Sequence, residues 1–263
     1  KKAFIIIGGS AMLMIFPLIM CFFMTDSKCM VNMHITITNN YALLAFIFIA
    51  IGAFAKAGAM PFHSWIPDVA EDAPTPVTAY LPASLDKILG IYLLSRTALT
   101  IFELNKFSMN LLMIFGSITI IFAVMMALIQ HDMKRLLGYH AVSQVGYMVL
   151  GIGTGIPIGI AGGLFHMINN ANYKSLLFLT SGSVEKKCNT TDLDKLGGLA
   201  KFMPYTFFAA LIASLSISGV PPLNGFFSKW MVYQGIIETS KTVSPNLWIF
   251  YLAAAMFGSV LTL

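Results

Sequence analysis

Apolar residues fill eight long runs in this chain, separated by short polar connections. The runs cover residues 3–24, 41–60, 77–97, 108–130, 134–153, 156–184, 204–238 and 246 onward, the last one cut short inside apolar sequence. Each is near the roughly 20 residues that a helix needs to cross a hydrocarbon core, so eight crossings with short links are predicted.

Two of the runs contain helix-breaking sequence. The second leads into AKAGAMPFHSWIPDVAEDAPTP, where Pro61 follows Lys56 by five residues and Pro67, Pro74 and Pro76 come soon after. The seventh contains SISGVPPLNGFFSKW, with Pro221 and Pro222 between Gly219 and Gly225. Proline removes a backbone donor and clashes with the preceding turn, so each helix is expected to stop and restart there. Unwound backbone at membrane depth is tolerated only where protein or a water-filled cavity satisfies it, the usual setting of a transport site.

Composition agrees with a membrane protein. Of the 263 residues, 57% are hydrophobic and 10% charged, and the mean hydropathy is +0.80, which leaves no room for a soluble catalytic domain. The first run follows two lysines, as a signal peptide does, but it is about 22 residues long without a small-residue cleavage site and reads as a span. The start at Lys1 and the end at Leu263 are expected of a piece of a longer protein.

Charge orients the spans. Lys1, Lys2, Lys134, Arg135, Lys186, Lys187, Lys195 and Lys201 fall in connections on one side, against Lys28, Arg96, Lys106 and Lys241 on the other, which makes the first side cytoplasmic. The remaining four of the sixteen basic residues, Lys56, Lys87, Lys174 and Lys229, lie inside spans. An ionisable group at mid-bilayer costs from ~3 to above 10 kcal/mol and is usually held by a partner or by water, marking a pathway. Lys56 and Lys229 lie within about two turns of the breaks, and the counter-charge for Lys56 must come from another helix. Lys87 has Asp86 beside it, but helix neighbours point ~100° apart and make at best an imperfect pair.

In the sixth run, HMINNANYKSLLFLTSGS places His166, Asn170 and Lys174 about 6 Å apart along one helical face. With bridging waters, such a row suits proton hopping, because a neutral imidazole passes a proton between its two nitrogens. The competing reading has the asparagines joining helices and His166 as a satisfied buried ring. His140, Ser143, Gln144 and Tyr147 share a face of the fifth run, which either lines a polar track or bonds across helices. Asp68, Glu71 and Asp72 share a face of a short interfacial helix, where they either gather protons or simply meet solvent. His63 and Trp65 serve equally well as interface anchors. Glycines 151, 155, 159 and 163 resemble a small-residue packing face, with Pro157 interrupting its register.

Other chemistries are absent from the spacing. Cys21, Cys29 and Cys188 form no disulfide framework or CxxC pair, the five histidines include no HExxH pair, and no phosphate-binding glycine loop occurs. No metal, cofactor-binding or catalytic residue is expected in this chain. The net charge of +5 comes without a basic tract interleaved with aromatics, so nucleic acid is no partner.

The segments FAKAGAMPFHSWIPDVAEDAPTPVTAYL, DMKRLLGYHAVSQVGYM, NYKSLLFLTSGSV and GVPPLNGFFSKW resemble, in order, the antiporter-like subunits shared by respiratory complex I, Mrp-type cation/proton antiporters and energy-converting membrane-bound hydrogenases. The stretch TPVTAYLPASLDKILGIYLLSR is most similar to the hydrogenase branch. The resemblance covers almost the whole chain and implies an all-α polytopic fold of 14 or more helices, with inverted five-helix repeats and a discontinuous helix in each. Residues 1–263 would then be a single transmembrane domain, with about 1–100 ending the first repeat and 101–263 forming most of the second. The resemblance also implies a role for Lys56 as the pumping lysine, Lys87 as the bridging group, His166 and Lys174 on the central polar helix, and Lys229 as the terminal lysine. Asn170 stands where several relatives have histidine, and the family's glutamate partner for Lys56 lies on an earlier helix.

The expected function is therefore translocation of protons, or of sodium, through Lys56, Lys87, His166, Asn170, Lys174 and Lys229, with Asp86, His140, His63 and Asp72 as accessory groups. The chain would be a non-catalytic, multi-pass subunit in a cytoplasmic membrane. Its expected partners are the lipid bilayer, other antiporter-like subunits and a hydrogenase or quinone-module arm that supplies the redox chemistry. The alternatives are a transporter whose broken helices cradle a small solute, a scaffold whose lysines are structural, and a stand-alone or Mrp-type antiporter subunit.

Overall fold

A computed structural model describes residues 1–25 and 29–262. Lys28, counted above among the outer connections, lies outside the described residues. The helices are α1 (Lys2–Met24), α2 (Asn40–Ala57), α3 (Trp65–Asp72), α4 (Thr75–Tyr80), α5 (Asp86–Arg96), α6 (Lys106–Leu128), α7 (Met133–Gly153), α8 (Pro157–Cys188), α9 (Pro204–Ser218), α10 (Asn224–Thr242) and α11 (Trp248–Leu261). A π turn over Leu81–Leu85 joins α4 to α5, and a second over Thr97–Ile101 extends the same helix. The wider turn accommodates Pro82, which has no N–H to give to the ladder.

Helix starts follow the local chemistry. The side chains of Asn39, Asn105 and Asp132 accept from the N–H of Ala42, Ser108 and Arg135, satisfying donors left open at the first turns of α2, α6 and α7. Among the described residues, α1, α2, the helix Thr75–Ile101 and α6 are long and apolar enough to cross a membrane, and α9 and α11 are shorter apolar helices. Helices α7 and α8 reach 21 and 32 residues, but polar side chains turned into the bundle dilute their hydropathy.

Both predicted breaks are present, and they share a design. Helix α2 stops at Ala57, short of the expected residue 60, because Gly58 takes a left-handed conformation at φ 79°. Helix α9 stops at Ser218 ahead of Gly219 at φ 85°. Each break contains a cis proline bond, Met60–Pro61 in one and Pro221–Pro222 in the other. Past the first break, α3 packs back along α7, and the Trp65 indole donates to the Ala55 carbonyl at 3.0 Å. Trp65 is 2% exposed, so it latches the break, and the interface-anchor alternative does not apply to it. Past the second break, a Cβ on Gly225 would stand 1.8 Å from the Ser216 oxygen, so only glycine lets α10 start this close to α9.

Helix α7 runs through the centre of the bundle, with α3, α6 and α8 around it. The expected glycine face is split between two helices, because Pro157 opens α8: Gly151 of α7 meets Gly159 and Gly163 of α8, and Gly155 sits in the turn at φ 66°. At the rim carrying the α7 start, Lys2 pairs with Asp68 at 2.6 Å, Arg135 with Glu71 at 2.7 Å and Lys134 with Glu185 at 2.6 Å. At the opposite rim, Ile35 and Thr36 pair in parallel with Phe102 and Glu103.

Candidate functional site

The four span lysines all turn into the bundle, and each is held differently. The Lys56 ammonium, in the last turn of α2, lies 3.4 Å from an Asp86 oxygen of α5. Within this sequence the acid facing it is therefore on a later helix, α5. The side chain of Lys56 is 34% exposed and that of Asp86 11%. Lys87 is 1% exposed, which rules out snorkelling, and its ammonium donates back to the Pro82 carbonyl inside the π turn.

Lys174 is completely buried and donates to the Leu137 carbonyl of α7 at 3.1 Å. Lys229 is 2% exposed and donates to the carbonyls of Ile217 at 2.8 Å and Ser218 at 3.4 Å. These two oxygens belong to the last turn of α9, where the helix leaves acceptors open and carries partial negative charge, so the ammonium caps the half-helix. Among the described residues, no carboxylate oxygen lies within 4 Å of the Lys87, Lys174 or Lys229 nitrogen.

His166 sits at the centre of the densest network. Its Nδ1 is 2.9 Å from the Ser228 hydroxyl and its Nε2 is 3.0 Å from Gln144 Oε1, with the Tyr173 hydroxyl 3.3 Å from the same nitrogen. Gln144 Oε1 only accepts, so Nε2 carries the proton facing it, while Ser228 either donates to Nδ1 or accepts from it. Ser228 also reaches the Gly225 carbonyl at 3.1 Å, so its hydroxyl hydrogen has a second destination. One hydroxyl rotation thus fits both the neutral and the doubly protonated ring.

The predicted face of α8 does not form a direct chain. Asn170 donates to the Ala83 carbonyl at 3.5 Å and its own oxygen is buried without a partner, while His166 and Lys174 contact other helices. The row is thus continued by groups on α7, α10 and the π turn and by Tyr173 of α8 itself; Ser228 of α10 and Tyr173 are the two that the sequence reasoning missed. Their only signal was adjacency to Lys229 and Lys174. His140 lines a cavity of about 300 Å³ together with Lys174, Ser214 and Thr262, and its Nδ1 has no partner. On the same face of α7, Tyr147 bonds across to the Ala255 carbonyl at 2.6 Å, so that face both lines a cavity and joins helices.

Other accessory groups lie apart. The His63 ring is 6.3 Å from that of Tyr139, beside the first break. Asp72 is exposed at the end of α3. The other two acids of that helix, Asp68 and Glu71, are paired with Lys2 and Arg135 at the rim.

A helical bundle with two interrupted helices and enclosed lysines bonded to main-chain carbonyls defines a polytopic membrane protein of the antiporter-like type. The chain belongs to the family described as NADH:quinone oxidoreductase/Mrp antiporter, TM, whose model matches residues 1–262. It is 35% identical over 258 residues to a Na(+)/H(+) antiporter subunit of Alkalihalophilus pseudofirmus, covering 92% of this chain and 32% of that protein. To hydrogenase-4 component B of Escherichia coli it is 34% identical over 227 residues, covering 81% and 34%. The chain therefore spans about a third of the length of these curated relatives. Its fold superposes on a chain of the Mrp complex of a Dietzia species with a TM-score of 0.87 at 21% identity, covering 99% of this chain and 49% of that one. A chain of the membrane-bound sulfane sulfur reductase, an archaeal respiratory membrane complex, matches with a TM-score of 0.84 at 26% identity, over 98% and 52%.

Proposed function

We propose that this chain is part of an ion-translocating subunit, in which Lys56, Lys87, Lys174 and Lys229 change protonation in turn and redox chemistry in partner subunits drives the change. The observation that carries the reading is how the three deepest lysines are held, each hydrogen-bonded to main-chain carbonyls and none to a carboxylate. A carbonyl accepts from an ammonium and from a neutral amine alike, so these contacts survive loss of the proton, whereas a salt bridge does not. His166 between Gln144 and Ser228 likewise fits two protonation states. The carried ion is a proton or a sodium ion, and the partners are other membrane subunits of a multi-subunit redox complex, with no redox cofactor in this chain.

In the full-length protein within its intact complex, Lys229→Ala should abolish ion transfer while leaving assembly unchanged. Normal coupling in that variant would remove Lys229 from the mechanism and overturn the reading. A second reading, a cation/proton antiporter component working without a redox partner, is favoured by the similarity to the Na(+)/H(+) antiporter protein of Alkalihalophilus pseudofirmus. Ion exchange by the reconstituted protein in the absence of any electron donor would establish it.

A further inference from the structure

We infer that Asp86 is a proton-transfer residue: one carboxylate shared by Lys56 and Lys87, connecting the first broken helix to the enclosed row. The inference rests on the ion-translocation reading above. Its basis is the way α5 meets α2. A Cβ on Gly90 would lie 2.5 Å from the Ala57 nitrogen and 2.8 Å from the Ala53 oxygen, so α5 presses main chain to main chain against the last turn of α2, one turn from Asp86. The π turn before Asp86 closes with its N–H on the Leu81 carbonyl, five residues back, and this sets the direction in which the next two side chains leave the helix. Asp86 leaves toward Lys56, and Lys87, the adjacent residue, leaves toward Pro82.

Distance separates this pair from the structural ones. The rim pairs of Lys2, Lys134 and Arg135 close to 2.6–2.7 Å, the contact length of a charge-assisted hydrogen bond. Lys56 and Asp86 stand at 3.4 Å, and among the described residues no other group donates to the Asp86 carboxylate. The carboxylate is therefore loosely held and has a second basic group one residue away. It also sits on a gradient of access, between a partly exposed Lys56 and an enclosed Lys87. The transfer is balanced: the Lys56 ammonium gives its proton to the Asp86 carboxylate, leaving an amine and a carboxylic acid. The acid then passes that proton through a bridging water to the Lys87 amine, whose nitrogen lies beyond 4 Å of it, restoring the carboxylate and forming an ammonium.

The test uses the full-length protein in its intact complex, reconstituted in vesicles with a pH-sensitive dye inside. Asp86→Asn should lower ion transfer at least tenfold with assembly unchanged, and Asp86→Glu should keep more than half of it. Asp86→Asn combined with Lys56→Gln should be no slower than Lys56→Gln alone, since both interrupt the same step. Normal transfer in Asp86→Asn alongside an inactive Lys229→Ala overturns the shared carboxylate and leaves the wider reading standing. Normal transfer in both variants overturns the wider reading. Loss of assembly in both Asp86→Asn and Asp86→Glu assigns Asp86 a structural role and overturns the inference. If only Asp86→Asn fails to assemble, Asp86→Glu decides: transfer above half supports the inference, and a lower value at normal assembly overturns it.

Discussion

The Lys229 ammonium lies 4.7 Å from the centroid of the Tyr147 ring, over its face. A buried cation on an aromatic face gains on the order of 2 kcal/mol, and here it does so without a carboxylate. Tyr147→Leu should therefore disturb the Lys229 site and slow ion transfer by roughly 30-fold. Tyr147→Phe keeps the ring and loses only the bonds to Ala255 and Ser259, so transfer should stay near normal while stability falls by about 1 kcal/mol. Transfer assays and thermal unfolding of the two variants separate these effects.

Gly90→Ala places a methyl group against the main chain of α2, where nothing flexible yields. Overpacking of this kind costs about 1–3 kcal/mol, and separating the helices also opens the gap between Lys56 and Asp86. The expected result is a lower unfolding temperature together with faster labelling of Lys56 by an amine reagent. Gly197→Ala, where a Cβ meets nothing within 4 Å, is the control and should change neither.

Lys134 is 3% exposed, and its charge is met by Glu185. Glu185→Ala leaves a buried ammonium without its partner, at a cost of about 3 kcal/mol, the low end for such a loss because the Glu185 side chain is 40% exposed. Adding Lys134→Met should recover most of that loss. Unfolding in detergent by heat reads both variants.

The connection after α8 carries a pH-sensitive clasp. Hydrogen bonds from Lys195 and from the Asp194 N–H hold the Asp192 carboxyl below its ordinary value of 3.8, and the same pair raises Lys195 above its ordinary 10.5. A depressed acid stabilises above its unfolded value and loses that contribution as pH falls through the folded one; a raised base does the reverse on the alkaline side. Proteolysis of residues 189–203 should therefore be slow and level between these limits and accelerate beyond either. Asp192→Asn should remove the plateau.

The helices and both breaks were legible because hydropathy, glycine and proline act locally: the 204–238 run and its GVPP interruption predict α9, α10 and the gap between them. Partner choice was not legible. Asp86 was weighed against Lys87 because the two are neighbours, yet the π turn and the glycine contact decide that it faces Lys56. Likewise the spacing of His166, Asn170 and Lys174 predicted a row along one helix, but what each side chain bonds depends on where α7, α10 and the π turn lie. Trp65 looked like an interface residue because the fold of the chain back across the first break has no signature in composition.

The two rims of the bundle are fastened by different forces. Where α7 begins, three ion pairs, Lys2 to Asp68, Lys134 to Glu185 and Arg135 to Glu71, stand beside the main-chain bonds of Met133 to Thr191 and Leu193 to His131. At the far rim the ties are the paired main chains of Ile35–Thr36 and Phe102–Glu103 and the neutral contacts of Asn110 with Ser244 and Tyr251. Dissolved electrolyte screens the two more exposed pairs, Lys2 with Asp68 and Arg135 with Glu71, more than the enclosed Lys134 with Glu185, and leaves the second kind nearly untouched. Raising ionic strength should therefore loosen the molecule from one end, like a book opening against an intact spine.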